Sequence, residues 1–197
     1  MRVPTGEQNE WIIDKDLFGG GLLNAYGCAN FYIKRIPHTQ ANETIRTNHY
    51  SGTIFSGSRL HLGLFMDGEF VGVAQFGCMM NPHATERIVR DTHWKDAMEL
   101  NRLWVHDKAP RNTESRFISY CIKFIRKSDP NVKWIQSFAD ERCGRFGVLY
   151  QACNFLYLGE HTSTFYECDG EWFHKILVTD GRNGFAQPRY KRATAAP

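Results

Sequence analysis

Apolar positions along this chain change their period from segment to segment, and each change marks an element. Residues 61–77, HLGLFMDGEFVGVAQFG, hold two alternating apolar runs that meet at Asp67-Gly68. Alternation with period two marks a half-buried strand, and Asp-Gly readily adopts the two positive φ angles of a tight turn, so the segment predicts a β-hairpin. MELNRLWV, residues 98–105, predicts a further short strand, followed by the turn residues HDKAPRN. SRFISYCIKFIRK then sets apolar residues at 117, 121, 124 and 125, and spacings of three and four predict an amphipathic helix. Asn112 and Thr113 are its candidate caps, Glu114 lies in its first turn, and Pro130 stops it.

The same unit recurs once in kind. VKWIQSFAD predicts a buried strand over 132–140, and FGVLYQACN predicts a short helix over 146–154. After FLYLGE, the segment TSTFYECDGEWFHKILV predicts a second hairpin turning at Asp169-Gly170. Two β-α units in succession imply parallel strands. The expected fold is therefore α/β, with a mixed central sheet flanked by helices.

Composition narrows this picture modestly. At 197 residues and 42% hydrophobic, the chain suits one well-cored domain, expected over residues 1–181 with its core at about 45–178. No window approaches 18 uncharged apolar residues and MRVPTGEQNEWIIDKD has no signal-peptide core, so a soluble intracellular protein without a membrane partner is expected. Six scattered cysteines, without a CxxC pair or zinc-type spacing, fit reduced thiols. A net charge of +3 is too small to hold DNA by itself, yet it permits a local basic groove. Charge collects in the expected flexible tail, 182–197, where Arg182, Arg189, Lys191 and Arg192 are candidate phosphate contacts or simply a solvated end.

Candidate chemistry gathers where an α/β sheet binds ligands, at the carboxyl ends of parallel strands and the following helix N-terminus. The 106–115 loop offers Lys108, Arg111, Asn112, Thr113 and Ser115, suited to a pyrophosphate, although helix capping alone also selects Asn, Thr and Ser. Tyr150 is either a general acid or a core aromatic, and Asp140 either a helix cap or a site carboxylate. His49 and Tyr50 are expected on a loop, offering an imidazole beside a phenol. Arg102, beside Trp104 on a strand, needs a ligand or a salt bridge to Asp140 or Glu99.

FGVLYQACNFLYLG resembles the GNAT superfamily of N-acyltransferases, whose later motif sets a tyrosine in a short helix ahead of a Gly/Asn-Phe pair, here Tyr150, Asn154 and Phe155. HDKAPRNTES replaces the usual GNAT phosphate loop. That departure, LNRLWVHDKAPRNTESRF, together with SFADERCGRFGVLYQACNFLYLGEHT, is similar to the Mom family of phage DNA-modification proteins, over roughly residues 47–165. The resemblance implies conversion of adenine in double-stranded DNA to an N6-carbamoylmethyl form, which shields phage DNA from restriction in the host cytoplasm. It implies site residues at His49, Tyr50, Arg102, Ser115, Asp140 and Tyr150. Tyr50 and Trp104 are candidates to stack a flipped adenine. Acetyl-CoA or another acyl-type donor is expected, held by Arg102, Arg111, Asn112 and Ser115. The resemblance also implies iron, to which His49 and Asp140 could contribute ligands, although no closely spaced ligand motif is present. Two alternatives stay open: an acyl-CoA N-acyltransferase acting on a protein or small-molecule amine, and a DNA-binding protein without catalysis on the same scaffold.

Overall fold

A computed structural model describes residues 24–140, 146–160, 164–174, 178–180, 184–185 and 194–195. Its chain contacts divide the protein into two compact units, Met1–Leu156 and Tyr157–Pro197, so the core expected at about 45–178 spans both.

The first unit is built on one six-stranded sheet in sequence order: β1 Ala25–Cys28, β2 Phe31–Arg35, β3 Ser58–Met66, β4 Glu69–Gly77, β5 Ala97–Val105 and β6 Trp134–Gln136. All neighbours are antiparallel except β5 and β6, which run parallel, as two successive β-α units require. Helix α1, His38–Asn48, joins β2 to β3; a short helix α2, Thr85–Ile88, lies between β4 and β5. Helix α3, Thr113–Ser128, crosses from β5 to β6, and α4, Val148–Ala152, follows β6. The α/β class and the mixed sheet flanked by helices are as expected.

The β3–β4 hairpin turns where the sequence places it, with φ of 49° at Asp67 and 86° at Gly68, the positive pair that matches the twist of the flanking strands. Leu62, Leu64, Ala74, Phe76 and Leu100 face α3, which buries Phe117, Ile118, Cys121, Phe124 and Ile125 against them. On the other face, Ile36, Phe65 and Val73 pack with Ala41 and Ile45 of α1.

Three features depart from the sequence reading. The β1–β2 hairpin and α1 lie in a region whose pattern signals no element, since α1 buries only Ala41 and Ile45 and its stripe is too narrow to stand out. The strand expected over 132–140 pairs only through Trp134–Gln136, and its three residues are half-buried rather than buried. The reason lies in β5: Arg102 pairs with Gln75 but Leu100 pairs with Phe76, so Asn101 is an extra residue, a β-bulge. A bulge bends its strand and raises its twist, and the ladder to β6 stops just before it, at Glu99–Gln136. Finally, Asn112 occupies the cap position of α3 in the left-handed region, φ 69°, and its side chain makes no capping bond. Thr113, instead of capping, donates its hydroxyl to the Pro110 carbonyl at 2.6 Å.

In the second unit, β7 Phe165–Cys168 and β8 Glu171–His174 form the expected terminal hairpin, with φ of 55° at Asp169 and 82° at Gly170 in its turn. Thr194–Ala195 pairs with β7, and Thr179–Asp180 with Gly184–Phe185. Arg182, Arg189, Lys191 and Arg192 lie outside the described residues.

Candidate active site

The residues singled out from the sequence fall into two groups within the first unit. The first group surrounds the loop that joins α1 to β3. His49 is the C-cap residue of α1, its backbone N–H donating to Ile45 O at 3.0 Å, so it sits at the root of this loop. Its ring lies 4.3 Å from that of Tyr50, which is 55% exposed and so available to a ligand. His49 Nδ1 is 2.8 Å from Ser51 Oγ and accepts the Ser51 backbone N–H at 3.2 Å. Arg102 reaches the same loop from β5, donating through Nε to Thr53 O at 2.9 Å and through Nη2 to Thr53 Oγ1 at 3.4 Å. Its Nη1 donates to Asn101 O at 2.7 Å.

Neither salt bridge weighed for Arg102 forms; the half-buried guanidinium is held by oxygens of the backbone and a hydroxyl. Burial lowers its pKa, while the nearby Tyr50 phenol and Glu99 carboxylate raise it. Glu99 is 3% exposed and accepts hydrogen bonds from Met80 N at 3.0 Å, Asn101 Nδ2 at 3.1 Å and Gln136 Nε2 at 3.2 Å. Burial nevertheless pushes its carboxyl up, against the pull of those donors and of Arg102.

The second group lines a cleft of about 620 Å³ beside α3. Arg111, Asn112 and Ser115 border it, as do Phe31, Arg116 and Lys123. Among the described residues of the lining, Arg126 is a fourth cation and none is a carboxylate. With the N-terminus of α3 at hand, the cleft suits a phosphorylated or otherwise anionic molecule. Arg116 is already engaged, its guanidinium 3.9 Å from the Phe31 ring centre and bonded to Tyr120 OH at 3.3 Å. Ser115 turns its hydroxyl back to Asn112 O at 3.0 Å.

The end of α4 and the residues just after it border the cleft through Ala152, Cys153 and Asn154, with Cys153 Sγ 3.6 Å from Ser115 O. Tyr150 lies on the same helix, half-buried against the core; its hydroxyl donates to Phe138 O at 3.3 Å and its ring sits 5.5 Å from Phe155. Asp140 is half-buried four residues beyond the end of β6, in the segment that leaves the sheet. Arg102, expected with the donor-binding residues, is not among those lining the cleft.

Sequence reasoning missed the links that join these residues. Thr53, Asn101, Arg116, Lys123 and Arg126 carry no motif; only the fold brings them into place. The five described cysteines are free thiols, and burial pushes those of Cys121 and Cys153 up, as befits packing groups rather than nucleophiles. Among the described residues, no cluster of three or more His, Cys, Asp or Glu is placed to hold a metal ion, and His49 Nδ1 is taken up by Ser51.

A family model described as the Mom protein family matches residues 30–196. The chain belongs to the Mom protein family. It is 48% identical over 173 residues to methylcarbamoylase mom of Escherichia phage Mu, a match covering 88% of this chain and 72% of that one. Among solved structures, it is similar to one described as "a possible acetyltransferase from Clostridium difficile 630", at 10% identity and a TM-score of 0.48 over 68% of this chain and 95% of the other. Each site residue implied by the Mom family resemblance, His49, Tyr50, Arg102, Ser115, Asp140 and Tyr150, lies within the matched span. No helix of the described residues is long and apolar enough to cross a membrane.

Proposed function

We propose that this chain is a DNA-modifying transferase that converts adenine in double-stranded DNA to its N6-carbamoylmethyl form, acting in the cytoplasm of a phage-infected bacterium. The observation that carries this reading is the 48% identity with the phage Mu methylcarbamoylase across most of the chain. The geometry is in keeping with it. Exposed Tyr50 beside His49 offers a surface on which a flipped base can stack, and the cationic cleft along α3 offers a place for a charged donor of the acyl-CoA type.

The chemistry sets demands on the residues. Adenine N6 is a poor nucleophile because its lone pair is delocalised into the ring, so the reaction needs an acceptor for the N6 proton and a donor for the leaving group. Asp140, as the carboxylate, takes the first role, and Tyr150, as the phenol, takes the second. His49 orients the base. Arg111, Asn112 and Ser115 hold the donor's anionic part at the start of α3. Acyl transfer alone gives an N6-acetyl product, whereas a carbamoylmethyl group is joined through its methylene; the donor therefore supplies an electrophilic methylene, or a further step follows.

Nucleoside mass spectrometry of plasmid DNA from cells expressing the wild type or Asp140→Ala tests this. The expected result is a new adenine species of carbamoylmethyl mass with the wild type and its loss with the variant. Unmodified adenine with soluble wild-type protein would overturn the reading and redirect attention to protein or small-molecule amines.

A further inference from the structure

The loop carrying His49 and Tyr50 is tied to the sheet by an unbroken chain of hydrogen bonds. It starts at Arg102, whose Nε and Nη2 donate to the carbonyl and hydroxyl of Thr53. Thr53 Oγ1 donates to Ser51 Oγ at 3.3 Å, and the Thr53 backbone N–H approaches the same oxygen at 3.4 Å. Ser51 then meets His49 Nδ1 twice, through its hydroxyl at 2.8 Å and its backbone N–H at 3.2 Å. The neighbouring residue of the β5 bulge adds a second tether, Asn101 Oδ1 accepting the Ser58 hydroxyl at 2.9 Å where the loop enters β3. A bulge brings two consecutive side chains of one strand to bear on the same neighbour, and here both grip this loop.

The end of the chain fixes a proton. A backbone N–H can only donate, so the His49 Nδ1 that receives it must present its lone pair. In the neutral ring the proton then sits on Nε2.

We propose that Arg102, Thr53 and Ser51 are positioning residues that lock His49 into its Nε2–H tautomer, so that His49 meets its ligand as an N–H donor and not as a proton acceptor. This rests on the reading that His49 belongs to the reaction site. It assigns the hydrogen-bond donor that orients an adenine ring nitrogen or a donor oxygen to His49, and leaves proton removal from N6 to a carboxylate. It also gives the Arg102 guanidinium a structural reason that requires no phosphate.

The test is a long-range 1H–15N correlation of the histidine rings in the full-length 15N-labelled protein, with the His49 signals assigned by their absence in His49→Gln. The expected wild-type pattern is a single tautomer with unprotonated Nδ1. Ser51→Pro, which removes the backbone N–H that fixes the proton, and Arg102→Gln, which releases the loop, are expected to give a mixture of tautomers and at least about 10-fold less modified adenine in cells, with partial recovery in Arg102→Lys, which keeps one donor. Thr53→Val removes the hydroxyl link but keeps the carbonyl, and is expected to shift the tautomer balance less. A wild-type Nδ1–H tautomer would overturn the proposal, as would an unchanged single tautomer in the Ser51, Thr53 and Arg102 variants even if modification fell. If the wild type modified no adenine, the functional reading would fall, while the ring spectra would still decide the locking.

Discussion

Glu99 shows how a single buried group sets a measurable property of this protein. Three donors hold its carboxylate, yet burial wins and its pKa stands above the ordinary 4.5. The folded protein then binds more protons than the unfolded chain between 4.5 and the raised value, so this group's contribution to stability falls as pH rises through that window. Replacing it by glutamine removes the titration, although the new amide would face Asn101 Nδ2 and lower stability overall. Urea unfolding midpoints measured from pH 4 to 7 are therefore expected to show a downward slope for the wild type relative to Glu99→Gln. His61, whose pKa is lowered by burial and by His38, loses stability in the opposite direction, as pH falls, and cancels in that difference. Parallel curves for the two proteins would show that Glu99 titrates as it does in water.

At the level of elements, α3 begins against the usual rule. Asparagine at an N-cap normally accepts a backbone N–H and is better than glycine there. Asn112 makes no such bond and holds a φ of 69°, a conformation that favours glycine. Asn112→Gly is accordingly expected to raise stability by up to about 1 kcal/mol, and Asn112→Ala to lower it by about as much, read from thermal or urea unfolding. Loss of stability in the glycine variant would mean that the side chain caps after all. The same helix was legible in the sequence because its apolar stripe is broad, whereas α1, with two buried residues, was not. Strand β6 is shorter than its apolar run predicts, because such a run says nothing about whether the neighbouring strand continues to pair.

For the whole molecule, the sparse net charge of +3 makes placement decisive. Four cations line one cleft, and four more, Arg182, Arg189, Lys191 and Arg192, stand near the C-terminus of the sequence. If the latter contact DNA phosphates, each displaces about one counterion. Replacing all four by glutamine in the full chain is expected to weaken binding equally across DNA sequences and to reduce the slope of log K against log salt by about 3 to 4. An unchanged slope would place the phosphate contacts elsewhere.

The sequence by itself determined what depends on short range. Both Asp-Gly turns, the α3 helix and the succession of β-α units follow from dipeptide chemistry and apolar period, which act within a few residues. Its motifs also pointed to the family, because 48% identity preserves long runs of matched residues. Tertiary structure alone decided the rest. Arg102 meets Thr53 across 49 positions of chain, and Ser58 meets Asn101 across 43, only because the sheet register and one bulged residue bring β5 to the loop after α1. Register is a cooperative property of all the paired strands, so the groups that orient His49 could not be read from the segments that carry them.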